Sequence, residues 1–271
     1  MANAVSIAKE KAMQQRAKAK PIEVLIQKSA SELGKALPAC MSVERLVRIA
    51  LTTLRLNPSL AECTPQSFLG ALFQSAQLGL EPNVEGQCYL IPYTNSKKIN
   101  DEWVKIKEVQ FQIGYKGYIE LFYRHEKAAC VDMHTVYEND KFEFSYGTEA
   151  YINHCPVLTN KGNVIAYYAI AKLSNGASLF KVMSKEDCYL HGKTHSKSFE
   201  DKNSPWQKDF DAMCKKTVLI QLMKLLPKSV ELQKALAMDG TTKTQIRPDM
   251  FEVKDETNWN IDLPSESVRE E

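Results

Sequence analysis

The sequence predicts an α+β protein, and three observations carry that expectation. Apolar residues recur at helical spacing through the first third, alternate with polar residues through the middle, and return to helical spacing before an acidic, aperiodic end. The expected organisation is an N-terminal helical lobe (1–84), a mainly antiparallel sheet core with packed C-terminal helices (85–238) and a disordered acidic tail (239–271).

Residues 1–20, rich in Ala, Lys and Gln, predict a frayed or weakly helical start. Ile22, Leu25, Ile26, Leu33 and Leu37 then share a helical face, and Pro38 stops the helix. Ser42 can cap a second helix whose stripe is Val43, Leu46, Val47, Ala50 and Leu54. Thr64 as N-cap, Pro65 in the first turn and Gly79 as a left-handed C-cap bound a third. Strands are predicted at 87–93 and 103–114, followed by a helix at about 118–127. In the second strand the apolar parity shifts near Lys107-Glu108, which predicts a β-bulge or bend. That bulge would put Trp103, Lys105, Lys107, Gln110 and Gln112 on one face. Further strands are expected at 129–137, 141–146, 164–173 and 178–183, with Asn175-Gly176 as a hairpin turn. Ser184 and Asp187 form a possible capping pair. A long helix is predicted from Ser204-Pro205 to about Leu226, and Ser229 caps a last one ending at Met238.

Composition narrows the class. Apolar residues make up 44% and charged residues 25%, ordinary for a soluble domain. No apolar run approaches the ~20 residues of a membrane helix, so no membrane association is expected. Seven cysteines without a Cys-x-x-Cys pair predict reduced thiols and a cytoplasmic setting rather than a disulfide framework. The net charge of +2 hides a separation: residues 239–271 hold 4 basic against 9 acidic residues, net −5, leaving +7 for the rest. A basic body suits a polyanionic partner, and it equally suits plain solubility.

The search for catalytic chemistry returns no site. In His191–His195, Gly192-Lys193-Thr194 matches the end of a phosphate-binding loop, but Asp187 stands where that loop needs glycine. Cys188, His191 and His195 have the spacing of metal ligands on one helix face, yet Gly192 weakens that helix and a fourth ligand is missing. Asp132, Glu138, Asp140 and Glu143 fit no nuclease spacing and read as solvated. The expectation is a protein that is not an enzyme, with no catalytic residues and no metal.

Two segments suit a nucleic-acid surface better. In Trp103–Arg124, Lys105, Lys107, Lys116 and Arg124 can neutralise phosphates. Gln110 and Gln112 can hydrogen-bond the backbone, and Tyr115 and Trp103 offer stacking faces. In Pro205–Thr217, Lys208 and Lys215 share a predicted helix face beside Lys216, with Trp206, Phe210 and Met213 as the neighbouring apolar stripe. An ordinary strand and amphipathic helix would give the same pattern.

Eight strings in order then carry a resemblance: SAQLGLEP (Ser75–Pro82), YLIPY (Tyr89–Tyr93), VQFQIGYKGYIEL (Val109–Leu121), VYENDKFEF (Val136–Phe144), INHCP (Ile152–Pro156), YYAIAKLSNG (Tyr167–Gly176), PWQKDFDAMCKKT (Pro205–Thr217) and LLPKS (Leu225–Ser229). The chain resembles the RecT family of phage and prophage single-strand annealing proteins from about Ser75 to Met238. The resemblance implies ATP-independent, sequence-nonspecific binding of single-stranded DNA and its annealing to a complement in phage homologous recombination. It implies a β-β-β-α core, rings or helical filaments of identical subunits, and work beside a 5′→3′ exonuclease and a host single-strand binding protein. Mg²⁺ would serve only as a counterion aiding annealing. Carried over by motif, Gln112, Tyr115 and Lys116 sit at a strand-to-helix corner of the DNA groove, with Lys208, Phe210, Lys215 and Lys216 alongside. One departure stands out: where the family pattern has a small residue and then Arg-Ser-Gly, this chain has Phe122, Tyr123, Arg124, His125 and Glu126. A metal-dependent nuclease of the same pathway and a self-assembling structural phage protein remain the alternatives.

Overall fold

The computed structural model describes residues 19–38, 41–99, 102–196, 198–202 and 204–239. The expected weakly helical start (1–18) and nearly all of the expected disordered tail lie outside the described residues. The fold is mixed α+β with antiparallel sheets and packed helices. Helix α1 (19–28) passes through a turn at Ser29 into α2 (Ala30–Ala36). α3 (Val43–Leu56) starts at Ser42, whose hydroxyl accepts from the Arg45 amide. A 3₁₀ turn (Pro58–Glu62) leads to α4 (Pro65–Leu78), which Thr64 caps and left-handed Gly79 (φ 58°) ends. The predicted caps stand where expected, because each supplies an oxygen or a left-handed residue that a helix end needs.

Strands β1 (Cys88–Ile99) and β2 (Glu102–Ile113) form a long hairpin, and α5 (Tyr115–Tyr123) follows at once. β3 (Ala128–Tyr137), β6 (Val164–Leu173) and β7 (Ser178–Ser184) make a three-stranded sheet in the order β3-β6-β7. Between β3 and β6 the hairpin β4 (Lys141–Ser145) and β5 (Tyr151–Cys155) is inserted. α6 (Lys185–His195) opens on a capping box of Ser184 and Asp187. α7 (Pro205–Lys208), α8 (Phe210–Met223) and α9 (Val230–Met238) complete the chain, and α8 lies across the three-stranded sheet.

One contiguous hydrophobic cluster runs from Ile22 and Leu46 through Phe68, Phe111 and Tyr118 to Val218 and Ala235. Both the N-terminal helices and the later elements contribute to it. Of the four carboxylates read as solvated, two are tied into the fold, Asp140 and Glu138. Asp140 accepts from the Tyr137 and Val157 amides and from His154, which also meets the Tyr168 hydroxyl at 3.2 Å. Burial alone would raise the Asp140 carboxyl, but those amides and His154 bring it below its ordinary value. Glu138 accepts from the amide and side chain of Asn163.

Two expectations are corrected here. The β1–β2 register is continuous over twelve pairs, so no bulge exists at Lys107-Glu108. The odd residues Val109, Phe111 and Ile113 are buried, and Trp103, Lys105 and Lys107 continue their face. Polarity changes because the strand outruns α4, and parity does not. The long helix predicted from 204 breaks at Asp209 (φ −147°, ψ 73°), whose carboxylate accepts from the Ala212 amide and caps α8.

Candidate nucleic-acid interface

The interface begins with strand parity. Cross-strand pairing puts Tyr89, Ile91, Tyr93 and Asn95 of β1 on the same face as Gln112, Gln110, Glu108 and Ile106 of β2. The opposite face, including Cys88, Leu90, Val109, Phe111 and Ile113, is buried, and β2 packs on α4. Burial of one face fixes the register, because a slip of one residue would drive glutamines into the core.

The first face looks across a cleft of about 450 Å³ toward α6, α7 and α8. Tyr93, Asn95, Gln110 and Gln112 form one wall, while His191, His195, Trp206, Met213, Lys216 and Ile220 form the other. Asn95 donates to the buried carboxylate of Glu108 at 2.9 Å. The two segments that the sequence singled out therefore meet: Gln110 and Gln112 face Lys216 across one space.

Gly192 explains itself in this setting. A methyl group there would lie 2.6 Å from the Phe199 ring and 2.9 Å from the Trp206 ring. The glycine lets the indole close against the α6 backbone, which a phosphate-loop or metal reading of His191–His195 does not require. Cys188 is buried, while His191 and His195 have ring centroids 4.4 Å apart. Burial, then His195 and Lys224, hold the His191 imidazolium below its ordinary pKa.

Lys216 is enclosed, its side chain only 14% exposed, and its ammonium lies 3.8 Å from the Asp239 carboxylate. Burial lowers its pKa, and Asp239 opposes that shift. Among the described residues lining the cleft, Lys216 is the one lysine or arginine and Asp239 the one carboxylate.

The remaining sequence-predicted residues separate into groups. Trp103 (72% exposed) and Lys105 lie on the far half of the hairpin, on the face opposite Gln110 and Gln112. Lys107 shares their face and pairs with Glu62 of the 3₁₀ turn. Tyr115 and Lys116 are exposed at the start of α5, and Lys116 lies beside Tyr89 over Gly86. Lys208 is exposed on α7, so the break at Asp209 removes the helix face it was expected to share with Lys215. Phe210 is half-buried against Trp206, and Lys215 is half-buried on α8.

Arg124 donates to the Leu78 carbonyl at 2.6 Å and the Gly79 carbonyl at 2.9 Å, satisfying the last turn of α4. Arg124→Ala should cost about 1–3 kcal/mol of stability. Urea unfolding measures that loss, and the salt dependence of DNA binding should stay unchanged.

Sequence reasoning did not assign Tyr89, Tyr93, Asn95 or Asp239 to this surface, and it weighed His191 and His195 only as metal ligands or part of a phosphate loop. For the first three the signal was present: YLIPYTN alternates, and parity puts its tyrosines and asparagine on one face. For the histidines and Asp239 the signal is tertiary.

Comparison with known proteins shows the family. The model of the RecT family matches residues 44–257. The chain is 37% identical over 218 residues to Protein RecT of Escherichia coli (strain K12), covering 80% of this chain and 78% of that protein. It is 30% identical over 190 residues to the uncharacterized protein YqaK of Bacillus subtilis (strain 168), covering 69% and 61% respectively. The chain belongs to the RecT family.

Proposed function

We propose that this protein binds single-stranded DNA without sequence preference and anneals complementary strands, without nucleotide hydrolysis, in phage homologous recombination. The observation that carries this reading is the cleft in which Tyr93, Gln110 and Gln112 face Lys216. Its chemistry suits a backbone: the half-exposed phenol of Tyr93 accepts any base, carboxamides pair with sugar or phosphate oxygens, and an ammonium neutralises charge.

A cleft with one lysine gives weak binding per subunit. Repetition along a strand multiplies weak phosphate contacts, so the working form is a ring or helical filament of identical subunits. Base pairing supplies the specificity and the energy of annealing. ATP is then unnecessary, and Mg²⁺ acts as a counterion between the strands. The setting is the cytoplasm of the bacterial host, beside a 5′→3′ exonuclease that exposes the strand and a single-strand binding protein that coats it.

The test mixes heat-denatured complementary oligonucleotides with the protein and no nucleotide. Annealing should outpace the protein-free control, with both strands intact. Mg²⁺-dependent loss of a labelled strand would instead reveal a nuclease, and assembly without salt-sensitive DNA affinity would reveal a structural protein.

A further inference from the structure

Asp239 stands in an odd place. It follows α9 as the C-cap, its amide donating to the Ala235 carbonyl at 3.1 Å. A negative charge at a helix C-terminus is disfavoured by the helix dipole, so the helix does not explain it. The groups around its carboxylate do. One oxygen accepts from the Ile113 amide at 2.7 Å. The other accepts from the Tyr118 hydroxyl at 3.0 Å and lies 3.8 Å from the Lys216 ammonium. The carboxylate is 18% exposed, and Tyr118 is buried.

Three donors, one of them cationic, thus converge from three elements on two oxygens sharing one negative charge. A phosphodiester presents the same feature, two non-bridging oxygens with one charge between them, and backbone amides with an ammonium are usual phosphate partners. The position belongs to the cleft that Gln110 and Gln112 line. We propose that the Ile113 amide, the Tyr118 hydroxyl and the Lys216 ammonium form a phosphate position for the DNA backbone, and that Asp239 occupies it as a built-in competitor which bound DNA displaces. This rests on the DNA-binding reading above.

The competition has a thermodynamic form. Asp239 neutralises the cleft's lysine in the DNA-free protein, so binding must release α9's last turn from the site. Weakening the Asp239 contact enlarges the fraction of molecules in which the position is open, so DNA binding strengthens until Asp239 no longer occupies it.

The test measures affinity of the full chain for fluorescent oligo(dT) at several salt concentrations. Asp239→Asn, which keeps the shape and removes the charge, should bind about tenfold tighter, within the usual range of coupling between sites. Adding Lys216→Ala to Asp239→Asn should remove most of that gain, and the lysine should matter more in that background than in the wild type. Affinity unchanged or weakened by Asp239→Asn overturns the competitor. If Lys216→Ala alone still lowers the affinity and salt slope, the DNA-binding reading survives that failure. If neither variant changes binding, the competitor and the place of Lys216 in the interface both fall, while loss of all salt-sensitive oligo(dT) binding by the wild type is what overturns the DNA-binding reading. Should Asp239→Asn not fold, hydrogen exchange on the wild type decides: oligo(dT) should speed exchange at the C-terminal end of α9. Exchange unchanged or slowed there overturns the proposal.

Discussion

Gly114→Ala should lower the unfolding free energy by about 3 kcal/mol, the upper end of what forced overpacking costs. Gly114 has φ −78° and ψ 162°, which alanine adopts freely, so no conformational strain is involved. The cost is steric: a methyl group at Gly114 would sit 1.9 Å from the Gly86 carbonyl oxygen. The obstacle is backbone, held by a hydrogen bond from the Gly114 amide to the Gln87 carbonyl at 2.8 Å. Gly117, one turn on, meets the same loop, with a methyl group 2.2 Å from the Gln87 oxygen. The glycines of Gly114–Gly117 therefore let the 84–87 loop seal the corner between β2 and α5. Gly176→Ala is the control. That position opens to solvent with φ 86°, so only backbone strain applies, about 1 kcal/mol. Urea unfolding followed by circular dichroism separates the two, and equal losses would contradict the steric account.

Lys216→Ala should weaken binding to oligo(dT) about fivefold and flatten the slope of log K against log salt by about 0.7, the contribution of one phosphate on a single strand. The effect should be uniform across oligonucleotide sequences, since a phosphate contact carries no base information. Two features make this lysine the sensitive one. It lines the cleft facing Gln110 and Gln112, and its enclosure makes charge there act through little water. Lys216→Arg should retain the slope even where packing lowers affinity. Lys105 and Lys208, on the far hairpin face and on α7, should change binding less. An unchanged slope in Lys216→Ala would remove the lysine from the interface.

The helix caps were legible because each is a local bargain: Ser42, Thr64 and Ser229 accept from the first turn whatever the rest of the chain does. The α+β class was legible for the same reason, from spacing alone. β5 was missed because Tyr151–Cys155 is short and turns His154 inward, a placement that depends on Asp140 and Tyr168. The bulge was wrongly expected because a strand that outruns its supporting helix imitates a parity shift. Of the residues lining the cleft, Gln110, Gln112 and Lys216 were singled out from residue type. The tyrosine wall was within reach of parity, and Asp239 was not, since nothing local announces that a residue closing the last helix returns to β2.

Mapping contacts tests the central claim, that single-stranded DNA lies between the β1–β2 face and α6–α8. Oligo(dT) bearing 4-thiothymidine, bound at low salt and irradiated, should cross-link to peptides holding Tyr89 to Asn95, Gln110 to Gln112, or Trp206 to Met213. Adducts confined to the β4–β5 hairpin or to α1–α3 would place the strand elsewhere and contradict the account.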